Sequence, residues 1–193
     1  MKNSIKYKLA AVALSLGAVA ATAQETAPSH PSIPDGITAD KYYDGGAVSG
    51  SDTQALIDRF DALDFEIFSN QQWDRVHESH DEDIIVTWPD GHSTVGIDTH
   101  IDDLKNLFVF APDLKIESHP VRIGSDDWTA VIGVMTGTFT EPMPIGGGNF
   151  IEPTNKEFTI QMATVAFWQN ERMIHEWLFW DNDTFYRQLG LKD

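Results

Sequence analysis

The hydrophobic pattern of the chain changes period partway along. Beyond position 50, Leu56, Phe60, Leu63 and Ile67 recur every three to four residues, the spacing of one buried helix face. Ser51-Asp52-Thr53-Gln54 stands in front of them with capping-box spacing, so a helix of about five turns is predicted from there to Ser69. Asn70 opens a second short helix carrying Trp73, Val76 and His77. Asp83 to Trp88 reads as a strand, ended by the turn tripeptide Pro89-Asp90-Gly91, with Thr94 and Val95 as a short return strand. Ile97, Ile101, Leu104 and Phe108 restore helical spacing. That helix stops before Ala111-Pro112-Asp113, because proline disfavours the helical region for the residue ahead of it.

From Leu114 the period is two. Leu114 to Ile123 is a strand in which Pro120 marks an edge or a bulge, since proline cannot donate to a ladder. Gly124 to Asp127 is a hairpin turn, and Trp128 to Thr140 a long strand with bends at Gly133 and Gly137. Glu141 to Asn155 is a loop containing Gly146-Gly147-Gly148. The triplet lacks the Lys and Ser/Thr spacing of a phosphate cradle. A flap over a pocket mouth and a plain surface loop both remain open. Lys156 to Trp168 is another strand, Gln169 to Arg172 a turn, and Met173 to Gly190 begins as a strand and closes as a short helix. Helices first, then long strands joined by hairpins, make an α+β domain over residues 51–193.

The N-terminal segment differs from all of this. Lys2, Lys6 and Lys8 precede an apolar run from Leu9 to Ala21, too short to span a bilayer, and Ala21-Thr22-Ala23 has the A-x-A form of a cleavage site. Residues 1–23 therefore read as a signal peptide, with the exported chain beginning at Gln24 in the periplasm or medium. Residues 24–50 are rich in Pro, Ser, Gly and Asp and read as a mobile arm or linker, with Tyr42-Tyr43 available to pin it.

Cleavage removes three lysines from 13 basic residues and leaves ten against 30 acids, a formal charge of −20. Such a surface repels nucleic acid and anionic membrane. No cysteine is present, which excludes disulfides, thiol nucleophiles and Cys-ligated zinc. About 170 mature residues suit one domain burying roughly 70% of its unfolded surface.

Chemistry concentrates in the last strand. His175, Glu176 and Asp181 sit among Trp177, Phe179 and Trp180, and ionisable groups beside aromatics have environments that shift their pKa values. Burial beside Trp180 predicts a raised Glu176 pKa. Rim charges on a plain strand are the simpler alternative. His77 and His80 are three apart, which admits a metal pair on a helix face or merely a histidine at a helix end; no third ligand is apparent nearby. His100, one residue before Ile101, falls at the edge of a buried stripe.

The same stretch resembles a known family. Glu176-Trp177, Asp181 and Gln188-Leu189-Gly190 are similar to the C-terminal signature of the SnoaL-like polyketide cyclase (ester cyclase) family. Upstream, His80-Asp81-Glu82-Asp83, Trp88-Pro89-Asp90-Gly91, Ala111-Pro112-Asp113, Asp127-Trp128-Thr129, Gly137-Thr138-Phe139 and Pro153-Thr154-Asn155-Lys156 follow in the family's order. The resemblance covers residues 52 to 191. It implies the cone-shaped nuclear transport factor 2-like fold, a curved antiparallel sheet packed on N-terminal helices around a pocket.

The resemblance also implies ring closure by intramolecular aldol condensation without metal or cofactor, using an acidic residue on the last strand and a histidine on the strand before it. Counted back from Gln188-Leu189-Gly190, those positions are Leu178 and Thr164, neither of which transfers protons. Glu176 shares the face of Leu178 by strand alternation, and Asp181 matches a family aspartate. The expected acid/base residues are thus Glu176, Asp181 and His80, with Trp88, His100, Thr164, Leu178 and Trp180 lining the pocket.

Two functional classes follow: a cofactor-free enzyme acting on a small hydrophobic carbonyl or ester compound, or a periplasmic module that binds an apolar molecule without turning it over. His175, Trp177 and Phe179 alternate with the pocket face, so an exposed apolar patch is expected unless it is covered; the resemblance implies a homodimer formed sheet to sheet through it, and the N-terminal arm is the alternative cover.

Overall fold

The computed structural model describes residues 53–193; the segments expected to be a signal peptide (1–23) and an arm (24–50), and the first two positions of the expected capping box, lie outside the described residues. The first helix, α1, spans Thr53–Ala62 and buries Leu56 and Phe60. It runs on through a π-helical stretch, Leu63–Phe68, so the predicted helix is present with its last turns widened. That stretch buries Leu63, Asp64, Ile67 and Phe68 together. The second short helix is a 3₁₀ element, Trp73–Glu78, and the first strand, β1, begins directly after it at His80–Thr87. The strand therefore starts three residues earlier than the pattern predicts. His77 is exposed on the 3₁₀ turn while His80 is buried on the strand, so the sequence pair of histidines does not form a pair in space.

The remaining elements are β2 (Ser93–Val95), α2 (Ile97–Phe110), β3 (Lys115–Ser125), β4 (Trp128–Thr138), β5 (Met143–Pro144), β6 (Phe150–Ile151), β7 (Glu157–Gln169), β8 (Arg172–Phe179) and α3 (Asn182–Gln188). Six strands form one curved sheet in the order β2-β1-β8-β7-β4-β3. Its neighbours are antiparallel except β1 and β8, which run parallel. Pro120 lies on the edge strand, within the register slip between Ser118 and Val121, so the edge and the bulge both occur. The turn into β8 uses Asn170 and Glu171 at φ of 52° and 63°, the left-handed pair that suits a tight hairpin between right-twisted strands. At Gly137 a Cβ would meet the Phe158 ring at 2.8 Å, so only glycine lets β4 pack there.

The glycine-rich loop is not structureless. β5 and β6 pair as a small hairpin, the three glycines at its tip have positive φ, and Met143 at its base is buried. Backbone N–H groups of Thr140 and Glu141 donate to the Phe110 carbonyl and tie this loop to the end of α2.

Helices fill the concave side of the sheet and form two apolar clusters. One gathers Leu104, Leu107, Phe108 and Phe110 of α2 against Phe158 and Ile160 of β7. The other gathers Leu56, Phe60, Leu63 and Ile67 against Ile84, Val86, Trp168 and Leu178. Met162 and Trp180 touch both clusters, and the pocket lies at that seam. No helix among the described residues is long and apolar enough to cross a membrane.

On the outer face the expected patch is partly closed. His175 is buried, stacked on Trp177 with ring centroids 3.5 Å apart, and its Nε2 lies 3.2 Å from Thr87 Oγ1. Phe179 is 52% exposed and Ile123 60%, so the apolar surface is real but His175 is not part of it. Burial holds the His175 imidazole at a pKa of about 4, against the opposing field of Glu176.

Candidate active site

Strand alternation sets the pocket wall. Thr164 pairs with Leu178, and Ala166 with Glu176, across β7 and β8. Side chains two apart share a face, so Thr164, Leu178 and Glu176 all point inward, and all three line the cavity. β1 delivers His80, α2 delivers His100, and the π-helical stretch delivers Asp64. Trp88 and Trp180 meet edge to face at 6.3 Å. Their indole N–H groups are engaged elsewhere, Trp88 with Thr94 Oγ1 at 3.2 Å and Trp180 with Asn182 Oδ1 at 2.7 Å, so both present ring surface to the cavity. Beyond these two rings the cleft continues past Leu107 and Met135 toward Met143 and Tyr186.

The polar pole is Glu176 with two histidines. Its Oε2 lies 3.8 Å from His80 Nε2 and 3.5 Å from His100 Nε2. All three side chains are buried, and neither Glu176 Oε2 nor His80 Nε2 has a hydrogen-bond partner. Burial pushes the His100 imidazole down to about 4, beyond what the Glu176 charge recovers, so it is neutral at pH 7. Burial also raises the Glu176 carboxyl, but the approach of His80 and the fields of His100, His80 and His175 outweigh it and hold the group below its ordinary range. The raised Glu176 pKa expected from Trp180 alone is thereby corrected: two pocket histidines flank the carboxylate, and His175 on the outer face adds its field.

A second polar chain leads from the pocket to the surface. Asp64 Oδ2 is 2.8 Å from His119 Nε2, His119 Nδ1 is 2.7 Å from Asp61 Oδ1, and Arg122 donates to Asp61 Oδ2 at 2.5 Å. Burial raises the Asp64 carboxyl against the pull of His119. Burial lowers the His119 imidazole, but hydrogen bonds to Asp64 and Asp61 more than reverse this and leave it raised. Sequence reading missed both residues. Asp64 had a signal: it stands four after Phe60 and three before Ile67, on the apolar stripe itself. His119 had none, since only the fold carries β3 across α1.

Of the predicted residues, Glu176, His80, His100, Trp88, Thr164, Leu178 and Trp180 line one cavity. Asp181 is not brought there. It is exposed at the start of α3, where its side chain accepts from Asp183 N, Thr184 N and Thr184 Oγ1. The Thr184 hydroxyl holds its carboxyl below the ordinary range. This is an N-cap, and its oxygens are committed to starting the helix.

Residues 60–189, two thirds of the chain, match the model of the SnoaL-like polyketide cyclase family. The chain belongs to that family. No curated protein sequence matches it. Among solved structures, this SnoaL-like protein is similar to IdmH, a candidate polyketide cyclase of Streptomyces antibioticus, with 20% identity, a TM-score of 0.60, and coverage of 70% of this chain and 98% of that one. A candidate SnoaL-like polyketide cyclase from Jannaschia sp. CCS1 has 15% identity and a TM-score of 0.64, covering 75% and 98%. A protein of ketosteroid isomerase-like fold from Catenulispora acidiphila, solved in complex with trimethylamine, has 12% identity and a TM-score of 0.56, covering 72% and 95%. At these identities the likeness is one of fold.

Proposed function

We propose that this SnoaL-like chain is an exported enzyme that acts on a small hydrophobic carbonyl or ester compound by acid/base chemistry. One observation carries the reading: the unpartnered Oε2 of Glu176, buried between His80 and His100 in a cavity walled by Trp88, Leu178 and Trp180. A carboxylate kept dry beside an apolar substrate surface is placed to take the proton from carbon next to a carbonyl. The C–H bond breaks, its electron pair moves to the carbonyl oxygen as an enolate, and the proton passes to Glu176. Asp64, a second buried carboxyl in the cavity lining, is hydrogen-bonded to His119, and this pair is the complementary proton donor to that oxygen.

The test is solvent deuterium exchange at the α-carbon of apolar ketones and esters, followed by NMR. Wild type should exchange at least one of them well above the buffer rate, and Glu176→Gln should lose about 10²–10⁴-fold of that rate. Binding without exchange, or exchange untouched by Glu176→Gln, overturns the proposal. We also propose that two copies associate through the apolar outer face around Phe179 and Ile123.

A further inference from the structure

We propose that His80, His100 and Glu176 form a binding site for a divalent first-row transition-metal ion. The three residues come from different elements, β1, α2 and β8, and offer ligand atoms that all lie within 4.8 Å of one another. The separations from Glu176 Oε2, 3.5 Å to His100 Nε2 and 3.8 Å to His80 Nε2, are close to a coordination shell. Ligands held at about 2.0–2.2 Å from a tetrahedral zinc ion sit roughly 3.3–3.6 Å apart. The two Glu176 separations need a few tenths of an ångström of contraction at most, and the histidine pair, within 4.8 Å, needs up to about one ångström.

The far nitrogen of His80 is anchored. Nδ1 lies 3.3 Å from the Val76 carbonyl oxygen, which can only accept, and 3.0 Å from Ser79 Oγ. In the tautomer that donates from Nδ1, Nε2 presents a lone pair, the form in which His80 binds a metal. A buried imidazole nitrogen and a buried carboxylate oxygen facing one another without a hydrogen bond call for a positive charge, either an ion between them or a proton on the ring. An imidazole whose far nitrogen is anchored on a backbone carbonyl is also how proteins orient a metal-binding histidine.

Two imidazoles and one carboxylate suit zinc, iron(II), cobalt(II) and their neighbours rather than magnesium or calcium, which favour oxygen ligands alone. The three ligands leave a fourth position, and all three line the same cavity as Thr164, Leu178 and Trp180. An open position on three protein ligands is the arrangement of a catalytic ion rather than a structural one. With an ion bound, Glu176 is a ligand and no longer the base of the acid/base reading, and Asp64 is the pocket carboxyl that does not coordinate.

The experiment needs no substrate, so its outcome is separate from that of the deuterium exchange. Untagged full chain, stripped with chelator and dialysed, is titrated with cobalt(II) and read by its visible d–d absorption, with zinc competition and a thermal scan in parallel. Wild type should take up one equivalent, show the intense bands of a four- or five-coordinate site, surrender them to zinc, and gain thermal stability with the ion. His100→Ala and Glu176→Gln should weaken uptake about 100-fold or more, while His77→Ala, which alters an exposed histidine, should leave it unchanged. If stripped wild type shows neither bands nor stabilisation, or if both pocket variants bind as wild type does, the site is not a metal site. Exchange activity in fully stripped protein would then assign the pole to acid/base chemistry alone.

Discussion

Thr164 and Leu178 are direct cross-strand partners on the pocket face of β7 and β8, and both are buried. These are the two positions at which the resemblance to the family implies a histidine and an aspartate. A cross-strand pair holds its Cβ atoms about 4.5–5.5 Å apart, so the spacing for a His–Asp pair is retained although its chemistry is absent.

Leu178→Asp alone should destabilise the domain by about 3–5 kcal/mol, since it buries an unpaired carboxyl in an apolar site. Adding Thr164→His should recover about 1–2 kcal/mol through a charge-assisted hydrogen bond. Urea unfolding of the two single variants and the double variant measures this coupling. Strict additivity would mean that the two side chains do not meet. Cyclising aldol activity in the double variant but not in wild type would show that the natural protein works by other groups.

Stability should fall as pH rises above about 6.5. His119 has a raised pKa in the fold because Asp64 and Asp61 hold its imidazolium, with Arg122 on the far side of Asp61. A group whose pKa is raised by folding stabilises fully below its unfolded value and loses that contribution as pH climbs through the folded one. Asp64, also raised, acts in the same direction from lower pH. Chemical denaturation midpoints between pH 6.5 and 9 should decline in wild type and decline less in Asp64→Asn/His119→Gln. Equal slopes would remove the buried imidazolium from the picture.

Light scattering at micromolar concentration should give twice the monomer mass, and Phe179→Asp/Ile123→Asp half of that. Both side chains are exposed in the single chain, so the double variant keeps its fold. Because a chain cleaved after Ala23 would carry a formal charge of −20, added salt should favour the dimer by screening repulsion between copies. A wild-type monomer, or a variant dimer, would point to another cover for this face, residues 24–50 among them.

Intact mass of the exported protein should correspond to a chain beginning at Gln24. An exported fraction that retains Met1 would refute cleavage after Ala23.

Much of this molecule was legible in the order of its residues. Helical spacing from Leu56 to Ile67 and from Ile97 to Phe108, the alternating strands after Leu114, and the turn residues between them are local signals, and each produced the element observed. The pocket wall was legible too, because strand alternation places Thr164, Glu176 and Leu178 on one face once the register is known. Other features depend on contacts between distant segments. Parallel pairing of β1 with β8 carries His80 alongside Glu176, nearly a hundred residues later in the chain, and no periodicity announces a partner. The Glu176 environment followed from that pairing and from the packing of α2: read locally, one carboxyl beside a tryptophan predicts a raised pKa, whereas the folded site sets His80 and His100 beside it and reverses the direction. Asp64 and His119 meet only because β3 crosses α1. Asp181, equally acidic and almost adjacent to Glu176, went the other way, since the chain turns there into a helix whose first N–H groups need an acceptor. Periodicity is a property of a segment, and electrostatics is a property of what the fold sets around a charge.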